Sequence, residues 1–167
     1  TLTGDSGSNQ TIADSNTLDV AGGTGIDTVV GATDTVTVAI DSTVVQKTVQ
    51  NTFTKAQVPS TYTAALSATS GVLDYDTYQN FIITLASGSN TLAAVTTEAS
   101  QVGQSGIIIF IQPSSSSAGT VSLHGDYETA EAAGLTLSSA NNDYDIVAYF
   151  IKADNSILLG APQLNFG

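Results

Sequence analysis

Cysteine, methionine, tryptophan and arginine are absent from these 167 residues, and Lys47, Lys55 and Lys152 are the only fixed cations. Without cysteine there are no disulfides, which fits an exterior protein and a cytosolic one equally. Three lysines against fifteen acids give a formal net charge of −12. No basic patch exists to displace the counterions of DNA or RNA, so phosphate-backbone binding is excluded as a function. An anionic membrane surface is disfavoured for the same reason. No apolar run approaches the ~18–20 residues of a membrane span, so no membrane insertion is expected. Charge of either sign is scarce, 11%, and the polar surface falls to Thr, Ser, Asn and Gln. Opening on Thr1 without a methionine, the chain is expected to be a processed piece or a fragment of something longer.

What is present is strand material: threonine-rich, β-branched and punctuated by glycine. No window carries an amphipathic helical stripe, although residues 127–134 allow one short turn. The expected fold class is all-β. Its centre is the run Ile107-Ile108-Ile109-Phe110-Ile111, opened by Gly106 and closed by Gln112, Pro113 and four serines. Five apolar residues are too few for a buried helix, and isoleucine stiffness favours extended backbone. A strand apolar on both faces needs cover on both, from another sheet or another subunit. Asp145 to Ile151 reads the same way and is its natural partner.

Residues 1–46 form a composition block with a weak 18-residue repeat: Asn16 to Ala21 superposes on Asp34 to Ala39, and Thr11-Ile12 falls on Val29-Val30. Each unit alternates Thr or Asp outward with Leu, Val or Ile inward. Units this thin cannot bury an apolar face alone and become stable by stacking or by winding with copies of themselves. The block is expected to be a repetitive β-prism or intertwined fibre segment. Residues 47–70 are a polar connector in which Phe53, Val58 and Tyr62 suffice for docking, so an ordered linker is expected. Residues 71–167 divide into short strands at 72–75, 80–86, 91–94, 106–112, 120–123, 135–138, 145–152 and 156–160. The breaks at 87–90, 113–117, 141–143 and 153–155 carry turn chemistry. That spacing indicates an antiparallel β-sandwich, jelly-roll-like, ending in a hairpin over 145–160.

The succession Asn80 to Leu85, Gly106 to Gln112, Ala118 to Leu123, Leu135 to Asn141 and Tyr144 to Phe150, closed by Asn165-Phe166, resembles the C-terminal β-sandwich of bacteriophage fibre and appendage proteins. Residues 1–46 resemble the repeats of long fibre proteins from phages of marine cyanobacteria. Two departures stand out: Leu123 occupies a position where that family usually has tryptophan, and Gly125 to Gly134 replaces a Trp/Gly/Pro-rich loop. The resemblance implies a non-enzymatic virion structural protein without cofactor, the distal part of a homotrimeric fibre. Its partners would be other virion proteins and a host cell-surface glycan or protein. A capsid decoration or head-fibre protein and a glycan-degrading tailspike are the alternatives.

Gly22 to Val30 fits the nine-residue calcium β-roll repeat, with Gly23, Gly25 and Asp27 as the weak metal candidates. The cation lies between successive copies, so one copy supplies half a site, and residues 4–9 do not supply a second. The structural reading is that the glycines make a tight turn capped by Asp27. His124, the single histidine, has Ser122 and Asp126 two residues to either side, but no nucleophile-elbow motif accompanies it. Asp74 and Asp76 flank Tyr75, and Asp143 and Asp145 flank Tyr144. Paired carboxylates serve glycoside hydrolysis, and the same alternation arises when a strand buries the tyrosine and solvates both acids. Among the six tyrosines, Tyr127 is the one expected to be exposed, beside Glu128 and Glu131 in the divergent loop. Tyr127, Glu128 and His124 are therefore the ligand-contact candidates.

Overall fold

The computed structural model describes residues 2–3, 6–46, 50–66, 71–95 and 99–167. Lys47 and residues 67–70 of the connector, and Gly4 and Asp5 of the first glycine-rich stretch, lie outside the described residues. The chain is all-β, with short 3-10 turns at Ala99–Gln101 and Ala130–Ala132. It divides into two units, Thr1–Ala56 and Gln57–Gly167.

In the first unit, β1 (Ile26–Val30) and β2 (Val36–Ile40) form an antiparallel hairpin, Ile26 opposite Ile40 and Val30 opposite Val36. Branched side chains favour both strands. The turn closes through the Gly31 N–H on the Thr35 carbonyl, 2.7 Å, with Asp34 in the left-handed region at φ 51°. The repeat is realised once. Residues 16–21 form no strand, and the Val20 carbonyl accepts the Thr28 hydroxyl at 2.9 Å instead of a ladder N–H. Among the described residues of this unit only Gly25 is buried. Val29, Val30, Val36, Val38 and Ile40 are all exposed.

The second unit carries the core. Its strands are β3 (Thr61–Ala65), β4 (Asn80–Thr84), β5 (Gly88–Leu92), β6 (Ser105–Ile111), β7 (Gly119–Leu123), β8 (Tyr127–Glu128), β9 (Tyr144–Ala153), β10 (Ser156–Leu159) and β11 (Gln163–Phe166). Seven make one sheet in the order β3-β4-β6-β9-β10-β8, with β11 also on β9, and β5 and β7 pair separately. The expected central pair forms: β6 and β9 run antiparallel from Ser105 opposite Phe150 to Ile111 opposite Tyr144. The expected final hairpin forms too, β9 to β10, its turn including Asn155 at φ 52°.

β11 pairs β9 antiparallel as well, and at the remaining pairs of this unit the antiparallel expectation fails. β3, β4 and β6 are mutually parallel, as are β5 with β7 and β10 with β8. Parallel neighbours need a long crossover, and the excursion through β5 between β4 and β6 supplies one. Two expected strands are absent: residues 72–75 and 135–138 run over the core without a ladder. Leu73 and Tyr75 are buried there, and Leu135 and Leu137 pack against the core. The expected docking of the connector through Phe53, Val58 and Tyr62 is not seen: Phe53 and Val58 are 52% and 92% exposed and Tyr62 is exposed too. Residues 61–65 instead become edge strand β3 beside β4, and the second unit begins at 57. The expected turn at 87–90 instead starts β5, because the buried Asn90 amide closes the bend itself. It accepts the Ala86 N–H (3.0 Å) and donates to the carbonyls of Ala86, Gly88 and Thr120 (2.9–3.2 Å).

One face of the large sheet is fully used. Phe81, Ile83, Ile108, Phe110, Val147, Tyr149, Ile151 and Ile157 cluster with Leu66, Leu73, Leu92 and Val121. Burying each large apolar side chain contributes about 1.5–3 kcal/mol. Tyr75 packs edge-on against Phe81 and Tyr149, with ring centroids 5.0 Å apart in both pairs. Gln112, buried at the end of β6, brackets Gly119 at the start of β7. Its Nε2 donates to the Gly119 carbonyl (3.0 Å) and its Oε1 accepts the Gly119 N–H (2.7 Å). The opposite face is not covered to the same degree: Ile109 and Ile111 are half-buried, and Ile107, Tyr144 and Phe150 are exposed. Cover on both faces was expected for β6, and this chain supplies one.

Candidate functional site

The divergent loop frames a groove of about 780 Å³, built from the end of β7, β8 and the residues from Thr129 to Leu135. The His124 N–H reaches the Leu92 carbonyl at 3.0 Å and carries the β5–β7 alignment one residue further. Asp126 then fixes the corner: its carboxylate accepts the Val95 N–H (3.0 Å) and its carbonyl the Ile157 N–H (2.8 Å). Beyond β8, Thr129 holds the rim. Its carbonyl accepts the Ala132 N–H (3.0 Å) and its hydroxyl oxygen the Gly134 N–H (2.8 Å). Between them Glu131 and Ala132 both take left-handed backbone, at φ 53° and 55°. That region is uncommon for residues with a Cβ.

The three ligand-contact candidates lie around this groove but differ in what they offer. Tyr127, expected to be exposed, is 5% exposed and belongs to the core. It pairs with Ile157 on β10 and points inward, whereas Glu128 pairs with Leu158 and points outward. A buried ring cannot stack on a sugar. Both Glu128 carboxylate oxygens lie 2.8 Å from Lys152 Nζ, and Oε1 also accepts the Ser156 hydroxyl. Lys152, ahead of Ser156, holds the Glu128 carboxyl below its ordinary value. His124 is half exposed. Its Nδ1 accepts the Asp126 N–H at 3.4 Å and lies 3.1 Å from Asp126 Oδ2, so both contacts that orient the ring are to Asp126. Among the described residues no hydroxyl is hydrogen-bonded to the imidazole, so the triad geometry is not assembled.

The remaining candidates separate. Asp74 and Asp76 are exposed around buried Tyr75, and Asp74 Oδ1 accepts the Thr77 N–H at 3.1 Å in a turn. The second Asp-Tyr-Asp is reversed from expectation: Tyr144 is exposed and Asp145 is fully buried. Asp145 Oδ2 accepts the Ser138 N–H (2.7 Å), and Oδ1 accepts the Ser138 hydroxyl and the Asn165 N–H (3.1 Å). It is a structural pin joining β9 to the 135–138 segment and β11. Gly23 and Gly25 form the expected tight turn, the Ile26 N–H on the Gly23 carbonyl at 3.0 Å and Gly25 at φ 86°. Asp27 does not cap it, lying within β1 opposite Ala39. Among the described residues no three His, Cys, Asp or Glu side chains gather in a metal-binding cluster.

No family model, curated protein or solved structure matches the chain. Its chemistry is therefore read from the groove lining, where the polar Ser122, His124, Glu128 and Thr129 stand among Val121, Leu123, Leu135 and the small residues Gly125, Ala132, Ala133 and Gly134. Small residues leave backbone polar groups approachable. The arrangement suits contact with a polar ligand edge. Tyr62 and Tyr144, not Tyr127, are the exposed tyrosines. Strand parity would have found Tyr144, but a strand apolar on both faces leaves that parity ambiguous, and Tyr62 lies in a stretch read as connector rather than strand.

Proposed function

We propose that this chain is a virion structural protein, the distal part of a homotrimeric phage fibre or appendage that displays a host-attachment surface. The observation carrying this reading is the first unit, whose described large apolar side chains, Val44 apart, stay exposed around a single hairpin. An isolated two-stranded hairpin is marginal in water, and interleaving three copies supplies the missing apolar contacts. In this reading residues 1–46 are the intertwined, prism-like stem and the second unit is a jelly-roll-like sandwich head. Edge strand β3, without a charged residue, also gains cover in an assembly. The groove beside His124 is the attachment surface, and its target is a host cell-surface glycan or protein. Function comes from geometry, with no cofactor and no catalytic step.

Limited digestion with a broad-specificity protease tests the reading. Intertwined copies keep residues 1–56 resistant at native pH and release them only after the assembly is dissociated. Immediate loss of those residues, leaving a stable fragment from about residue 57, would contradict it.

A further inference from the structure

We infer that the open face of the large sheet in the second unit is a second contact between copies of this chain, separate from the stem. Strand register places Ile107 on β6, Tyr144 and Phe150 on β9, Leu158 on β10 and Phe166 on β11 on one surface. Their exposures are 38%, 39%, 44%, 38% and 45%, and Ile109 lies half-buried among them. With about 150–250 Å² per large side chain, the face presents roughly 300–500 Å² of apolar surface. A specific interface takes about 800 Å² from each partner, of which about 56–65% is apolar, or about 450–520 Å². The face therefore supplies most of the apolar area that one self-contact consumes, and lies within the range of the largest patch a monomer leaves open.

Charge selects the occupant. The chain carries −12, and juxtaposed like charges oppose association of two copies. This face is where acids are withdrawn. Asp145 turns inward and is buried, and Glu128 at the corner is neutralised by Lys152. A basic partner drawn by the net charge would find nothing to pair with here, whereas a second copy meets an apolar surface like its own. In a homotrimer the three copies of this face turn towards the three-fold axis, each meeting its neighbours there. The inference rests on the self-assembling reading of the chain and names where the heads meet.

The test uses the full chain with Phe150→Thr and Leu158→Thr together, which keep strand-forming residues and add no charge. Mass is followed by light scattering on dilution, alongside a thermal melt. The variant should melt cooperatively and half-dissociate at a concentration at least about tenfold above the unsubstituted chain, the loss expected on removing central apolar contacts. Should the double variant fail to fold, Ile107→Thr on the same face carries the same expectation. Unchanged dissociation in a folded variant would overturn this inference and leave the fibre reading standing, whether the face is then bare or meets a different molecule. An unsubstituted chain that is monomeric at every concentration would overturn both.

Discussion

Replacing Asp145 by asparagine should unfasten three segments at once. The carboxylate is fully buried and acceptor-only, and it takes the Ser138 N–H at 2.7 Å, the Ser138 hydroxyl and the Asn165 N–H at 3.1 Å. Asparagine keeps the shape but turns one oxygen into an NH2 donor, so either orientation sets a donor against a backbone N–H. A stranded N–H costs about 1–3 kcal/mol where it is buried; Ser138 is half-buried and Asn165 exposed, so the new NH2 turns towards Asn165 and the cost falls to the low end. Exchanging a charged acceptor for a neutral one costs about 1 kcal/mol more, and relief of carboxylate desolvation offsets part of this. The net expectation is a loss of about 1–2 kcal/mol, or roughly 4–8 °C in the melting of a unit this size. Scanning calorimetry at one fixed protein concentration reads it, and hydrogen exchange at the Ser138 and Asn165 amides should quicken. Asp76→Asn, at an exposed position, is the matched control and should stay within about 0.5 kcal/mol. An Asp145→Asn protein that melts with the control would refute the pin.

Gly106→Ala should destabilise the second unit by about 1–3 kcal/mol, because a Cβ there would overlap the Gln79 carbonyl oxygen and come within 2.9 Å of the Tyr149 ring. Gly125→Ala, where a Cβ meets nothing within 4 Å, should leave the urea midpoint unchanged. Tyr127→Ala should cost about 3–5 kcal/mol as a core truncation, while His124→Ala should leave the melt unaltered; equal effects would contradict the burial of Tyr127. Glu128 should titrate below its ordinary value of 4.5 because Lys152 and Ser156 bond the charged form. Its contribution is present above that value and lost as pH falls through the folded one. Carboxyl NMR of a Lys152→Ala variant should show the midpoint moving back up towards 4.5.

The sequence revealed its centre because β6 and β9 are apolar on both faces, a pattern few other elements could have. That same property concealed the parity of β9. With Ile146 and Val147 both apolar, nothing local says which faces inward, and the choice decides whether Tyr144 or Asp145 is buried. Parallel pairing was concealed for a different reason. Residues 80–84 and 106–111 read as separate short strands of an antiparallel sandwich, and the direction of their pairing depends on the excursion through β5. The Asn90 amide turns that segment into the start of a strand where its Ser-Gly-Ser-Asn composition reads as a loop. The groove was legible as a divergent stretch of chain, while the inward turn of Tyr127 depends on β8 pairing with Ile157, a contact thirty residues away. For the first unit, the thinness of the repeat foretold an absence of core, and the exposed valines of β1 and β2 agree.

The molar mass of the intact chain in solution, by light scattering at micromolar concentration without added calcium, tests self-assembly most directly. A homotrimer gives three times the 17.0 kDa of one chain. A mass of one chain would contradict it.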